Sequence, residues 1–105
     1  MPTFIMLTRV ETNGAQSPKS LEELEHKVME QIQAQCPQVK WLQNYAVLGP
    51  YDYLDVFNAP DNEVAAKVST LIRTYGHAHA EVWPATEWAR YKEMIHDMSD
   101  VKTAQ

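Results

Sequence analysis

Two histidines and a few acids carry most of the chemistry available to this chain. His77, His79 and Glu81 alternate in the run His77-Ala78-His79-Ala80-Glu81. In an extended strand that spacing puts all three on one face. Two imidazoles and a carboxylate are the ligand set of several iron, zinc and copper sites. Alternate strand residues stand about 6.5–7 Å apart, so two of them can share an ion and three on one straight strand strain to do so. No metal and no cofactor are therefore expected, and His77 and His79 read as hydrogen-bonding or acid–base groups. Asp55 is the second candidate, set between Tyr53 and Phe57 in an apolar run. A carboxylate is disfavoured there and needs a partner if buried. Reaching past a small residue such as Thr8, Asp55 would orient His79 as a general base.

Other groups offer less. Cys36 precedes Pro37 at a helix end, far from any expected His partner. Glu93-x-x-His96 matches half of a di-iron motif that needs a second copy, so it reads as a solvated helix face. Glycine occurs at 14, 49 and 76 alone, too sparsely for a phosphate-binding loop.

The elements that must position these residues follow from periodicity. Thr3–Arg9 reads as a strand and residues 10–17 as a loop. Ser17-Pro18 or Ser20 with Glu23 starts a helix with Leu21, Leu24, Val28 and Ile32 on its apolar face, ended by Cys36-Pro37. Val39–Leu48 and Tyr51–Asn58 form two antiparallel strands about the Gly49-Pro50 turn, where Asp52 accepts hydrogen bonds from turn N–H groups. Asp61 caps a second helix that stops at Gly76. His77–Trp83 is a fourth strand, closed by Pro84. Thr86 caps a last helix whose face is Trp88, Tyr91, Ile95 and Met98. The order β-α-β-β-α-β plus a terminal helix is an α+β, ferredoxin-like arrangement with strand order 4-1-3-2. It occupies residues 1–98 as one domain, with 99–105 a polar tail.

Residue parity then sorts the sheet faces. Even positions in strands two to four (Leu42, Leu54, Val56, Ala78, Ala80, Val82) suit the helix-covered side, together with Ile5 and Leu7 of the first strand. Odd positions put Trp41, Tyr45, Tyr53, Asp55, Phe57, His79, Glu81 and Trp83 on the other side. An apolar patch of that size calls for cover. The terminal helix would supply part of it and a second copy, packed sheet on sheet, the rest, giving a homodimer or higher homo-oligomer.

Composition narrows the partners. The chain has 105 residues, one cysteine and a net charge of −5. That charge argues against nucleic acid and anionic membranes. The absence of an intramolecular disulfide, a long apolar run or a signal-like start fits a cytoplasmic location.

Gly49-Pro50-Tyr51-Asp52, leading into a strand, resembles the signature of the GYD-domain family. Asn58-Ala59-Pro60-Asp61 is similar to its acidic helix start, Gly76 and Ala85 fall where its pattern expects them, and Phe4–Thr8 and Ser17-Pro18-Lys19 resemble its opening segments. The resemblance spans roughly residues 3–88. It implies a dimeric α/β barrel and no particular activity. His77 and His79 depart from its pattern, which more often has Asn and Arg there.

Three functions compete. The first is a pocket between two sheets that holds a small, partly apolar ligand against Trp41, Tyr45, Tyr53, Phe57 and Trp83, with Glu81 also binding it and His79 and Asp55 as polar anchors. The second is an enzyme of the dimeric α/β-barrel class, an oxygenase or isomerase, cofactor-free or assisted by metal or haem, with His79 as base, Asp55 as its partner and Tyr45 or Tyr53 as donor to a developing oxyanion. The third is a domain for oligomerisation alone. In all three, Gly49, Tyr51 and Asp52 are structural.

Overall fold

A computed structural model describes residues 1–11 and 17–98. Most of the 10–17 loop and the 99–105 tail lie outside the described residues. The elements run β1 (Thr3–Val10), α1 (Pro18–Gln35), β2 (Lys40–Ala46), β3 (Tyr53–Asn58), α2 (Asn62–Tyr75), β4 (Ala78–Ala85) and α3 (Trp88–Asp97). The strands form one sheet in the order β2-β3-β1-β4, every neighbouring pair antiparallel. This is the expected ferredoxin-like α+β fold and the expected strand order.

Local chemistry sets the helix starts. Ser17 caps α1, its side chain accepting from Ser20 N at 3.1 Å, with Pro18 in the first turn where its missing N–H costs nothing. Asp61 caps α2 by accepting from Val64 N at 2.9 Å. Gly76 ends α2, with the α-helical φ of −94°. A Cβ there would lie 2.6 Å from Ile72 O and 3.1 Å from a Val28 methyl, so glycine lets α2 close against α1. The left-handed residue is His77, at φ +48°. It precedes β4, so the expected strand pair His77/His79 does not exist. Pro84, expected to end β4, is paired with Phe4 inside it. β4 is an edge strand, where a missing N–H is tolerated. Glu87, not Thr86, occupies the cap of α3, and among the described residues no side chain bonds to that helix end.

The sheet faces differ from the parity expectation. Directly paired residues share a face, and β1 pairs Phe4 with Phe57, Met6 with Asp55 and Thr8 with Tyr53. Even-numbered residues of β1 therefore stand with odd-numbered residues of β3. On the other side Met6 pairs with Val82, Thr8 with Ala80 and Val10 with Ala78. In β2 the register slips between Trp41 and Gln43, leaving Leu42 as the extra residue of a bulge. Trp41, Asn44 and Ala46 consequently stand with Phe57, Asp55 and Tyr53.

The helix-covered face is the one built on Phe4 and Met6. The core joins them to Val28, Ile32, Phe57, Val64, Val68 and Ala80. Phe57 is fully buried, 5.6 Å from the Phe4 ring and 5.2 Å from the Trp41 ring. Phe4 and Phe57 are among the largest fully buried side chains, and the partly buried Trp41 packs against them. The open face carries Ile5, Leu7, Leu54, Val56, His79, Glu81 and Trp83. The terminal helix does not cover it: no α3 residue is buried, and Trp88 is 65% exposed.

Candidate functional site

The register separates the residues that sequence reasoning brings together. Asp55 pairs with Met6, on the helix-covered face, whereas His79 pairs with Arg9 and stands on the open one. Asp55 is therefore not the partner of His79. Tyr53 and Phe57 go with Asp55; Tyr45, Glu81 and Trp83 stay with His79. One expected site becomes two, one on each face.

On the open face, β4 and the turn before β3 build a polar cluster. Val47 N bonds to Asp52 O and Asp52 N to Thr8 O, which fixes the turn against β1. Gly49 supplies its φ of +146°, a conformation side chains oppose. The Asp52 carboxylate accepts from Val10 N at 2.8 Å, so it serves the end of β1 and not its own turn. Tyr51 then reaches Glu81, donating its hydroxyl to Oε2 at 2.5 Å. His79 Nε2 lies 3.1 Å from the same oxygen. The Arg9 guanidinium stands 5.8 Å from the Tyr51 ring centre, within cation–π range.

The electrostatics follow from these bonds. The Tyr51 hydrogen bond, and after it the one with His79, hold the Glu81 carboxyl below its usual range. The same bond to Glu81 raises the Tyr51 phenol. Glu81, and not Asp55, is thus the carboxylate within hydrogen-bond distance of His79. Among the described residues no three His, Cys, Asp or Glu side chains gather as a metal site.

The second site is a cleft of about 410 Å³ between the first half of α1 and the sheet. Met6, Thr8 and Tyr53 border it from the strands, and Leu21, Leu24 and Val28 from α1. Trp41, Asn44 and Asp55 extend the strand side. Tyr45 also borders it, although its pairing with Leu54 assigns it to the open face. Asn44 donates to Asp55 Oδ1 at 2.7 Å. Burial nevertheless pushes the Asp55 carboxyl up, outweighing that bond, and Glu25 adds to the rise. Burial likewise raises the Tyr53 phenol. Among the described residues the buried Thr8 hydroxyl has no hydrogen-bond partner.

Sequence reasoning does not single out Asn44 or Glu25, and it takes Thr8 only as a spacer. The missing signal is the β2 bulge, which turns Asn44 toward Asp55. Cys36 is buried, and that burial raises its thiol pKa, the opposite of what a nucleophile requires.

Comparison with known proteins places this architecture. The chain is 32% identical over 76 residues to the glutamine synthetase and cystathionine beta-lyase binding protein of Thermus thermophilus, covering 72% of this chain and 79% of the relative. The crystal structure of TTHA0845 from Thermus thermophilus superposes with a TM-score of 0.54 at 26% identity, over 83% of this chain and 95% of that one. The leucine response regulatory protein LrpA of Mycobacterium tuberculosis shares the fold alone, with a TM-score of 0.55 at 10% identity. That match covers 82% of this chain and spans 51% of the regulator's length. The GYD domain matches residues 4–95, from the first core residue of β1 into α3. With the Gly49–Asp52 turn, its buttress on β1 and its tyrosine bonded to β4, the chain belongs to the GYD domain family.

Proposed function

We propose that this chain is a non-catalytic binding module that works as a homodimer. Two copies meet through their open sheet faces, and α3 of each lies against the other. The observation that carries this reading is the uncovered apolar surface on both parts. Ile5, Leu54, Val56 and Trp83 face outward on the sheet, while Trp88, Tyr91 and Ile95 on α3, with Met98 just past its end, form an exposed stripe. A two-fold axis joins such a face to such an arm twice over, because both belong to one chain. In that arrangement the Tyr51–Glu81–His79 cluster lies between the sheets and supplies the polar end of a site for a small, partly apolar ligand. The relative named for binding two enzymes supports an adaptor role, in which the dimer presents a surface to a protein partner.

A second reading draws on the 3.1 Å contact between His79 and Glu81. An imidazole oriented by a carboxylate is suited to act as general base, with Glu81 in the place expected for Asp55. This is the enzymatic version of the same intersheet site.

Native mass spectrometry tests the proposal directly. The chain is expected as a dimer at micromolar concentration, and Leu54→Glu as a monomer with an unchanged far-ultraviolet circular dichroism spectrum. A wild-type monomer overturns it. A dimer with no room for a small molecule between its sheets reduces the function to oligomerisation.

A further inference from the structure

The cleft beneath α1 is a separate site, on the face of the sheet opposite His79. Its volume of about 410 Å³ suits a small organic molecule. Its charge is one-sided. Glu22 and Glu25 on α1 and Asp55 on β3 border it, and no Lys, Arg or His is among the described residues that do so. Residues 12–16 carry no charged side chain either. Asp55 is the least exposed of the three acids, and its one hydrogen bond among the described residues comes from the neutral Asn44 amide.

Each ligand class meets these groups differently. An anion, or an amino acid with a free carboxylate, would face three like charges. A neutral apolar molecule would cover Asp55 and leave its charge with the Asn44 amide but no counter-ion. A protonated amine with an apolar body removes both difficulties: its nitrogen pairs with Asp55 and its carbon skeleton covers Leu24, Val28 and Met6. Trp41 and Tyr53, beside the same cleft, are side chains that attract cations through their ring faces. We propose that the cleft is a binding site for a small organic amine, with Asp55 as its counter-ion. This site does not require the dimer, so its failure and the failure of the dimer reading are distinguishable.

Three matched probes test it on the full chain: phenethylamine, 2-phenylethanol and 3-phenylpropionate, by isothermal titration and by amide chemical shifts at neutral pH. Phenethylamine is expected to bind at least about tenfold more tightly than the alcohol, and the acid not at all, since a charge-assisted bond is worth about one decade or more. Shifts are expected at Met6, Thr8, Val28 and Asp55, and not at His79 or Glu81. Asp55→Asn is expected to bring the amine to the affinity of the alcohol. Glu25→Gln, on the exposed surface of α1 where folding is not at stake, is expected to weaken the amine about twofold to threefold. Equal affinity for amine and alcohol, tighter binding of the acid, no binding of any probe, or shifts confined to the open face would each overturn the proposal.

Discussion

The Tyr51 hydroxyl and the Glu81 carboxylate are joined by a 2.5 Å hydrogen bond that passes over β1, linking the turn before β3 to the far edge of the sheet. Asp52, the next residue, holds the end of β1 through Val10 N. The signature turn therefore ties down two strands by two adjacent side chains. Its aspartate bonds to the backbone of β1, and its tyrosine bonds to the acid that contacts His79.

Tyr51→Phe removes that bond and should change how stability depends on pH. The folded state lowers the Glu81 pKa from its ordinary 4.5. The contribution is therefore complete above pH 4.5 and is lost as pH falls through the lowered value. Urea midpoints measured from acid to neutral pH are expected to be lower for the variant at neutrality and to converge with wild type in acid. A constant difference at every pH would show that the hydroxyl does not act through Glu81.

Asp55→Asn carries the opposite sign. Burial raises the Asp55 pKa above its ordinary 3.8, so the folded state binds its proton more tightly than the unfolded chain. Stability falls as pH rises from 3.8 through the raised value. In the absence of ligand the variant is expected to have the higher melting temperature at neutral pH, with the advantage gone in acid. Thermal melts across that range decide it.

Gly76→Ala introduces a methyl group 2.6 Å from a backbone oxygen and 3.1 Å from Val28. The oxygen belongs to the last turn of α2 and cannot swing aside as a side-chain tip would. The expected cost is about 1–3 kcal/mol, read as a lower denaturant midpoint. The cleft should also widen, because Gly76 borders it where α2 meets α1.

His77→Gly should stabilise the chain. His77 holds a φ of +48°, which costs a side-chain-bearing residue about 1–2 kcal/mol. Glycine removes that cost and returns part of it as unfolded-state entropy, for a net gain of about 0.5–1 kcal/mol. The melting temperature should rise by a few degrees, with His79 and Glu81 undisturbed.

Much of this molecule is legible in its residues, and the departure that matters most for the site has a definite physical origin. The Ser17-Pro18 and Asp61 helix starts and the apolar stripe of α3 follow from short-range patterns, and the strand order follows from the sequence of elements. Parity also sorts the two sides within a strand. It cannot say which side of one strand adjoins which side of the next, because that is a register formed by residues some 50 positions apart, such as Met6 and Asp55. Assuming a common parity puts Asp55 beside His79, when a half-period offset between β1 and β3 separates them by the thickness of the sheet. The ring of Phe4, larger than the side chains of Ile5 and Leu7, is the available hint of where the core lies.

The bulge at Leu42 has a consequence for how sequences of this kind can change. Elsewhere in β2, inserting or deleting one residue would exchange the two sides of everything beyond it, carrying Asn44 away from Asp55. Leu42 is already supernumerary, 45% exposed and without a cross-strand partner. Its loss would leave Trp41 and Gln43 adjacent and correctly alternating. The chain thus has one position in this strand where its length can vary by a residue while the side chains on both sides keep their places.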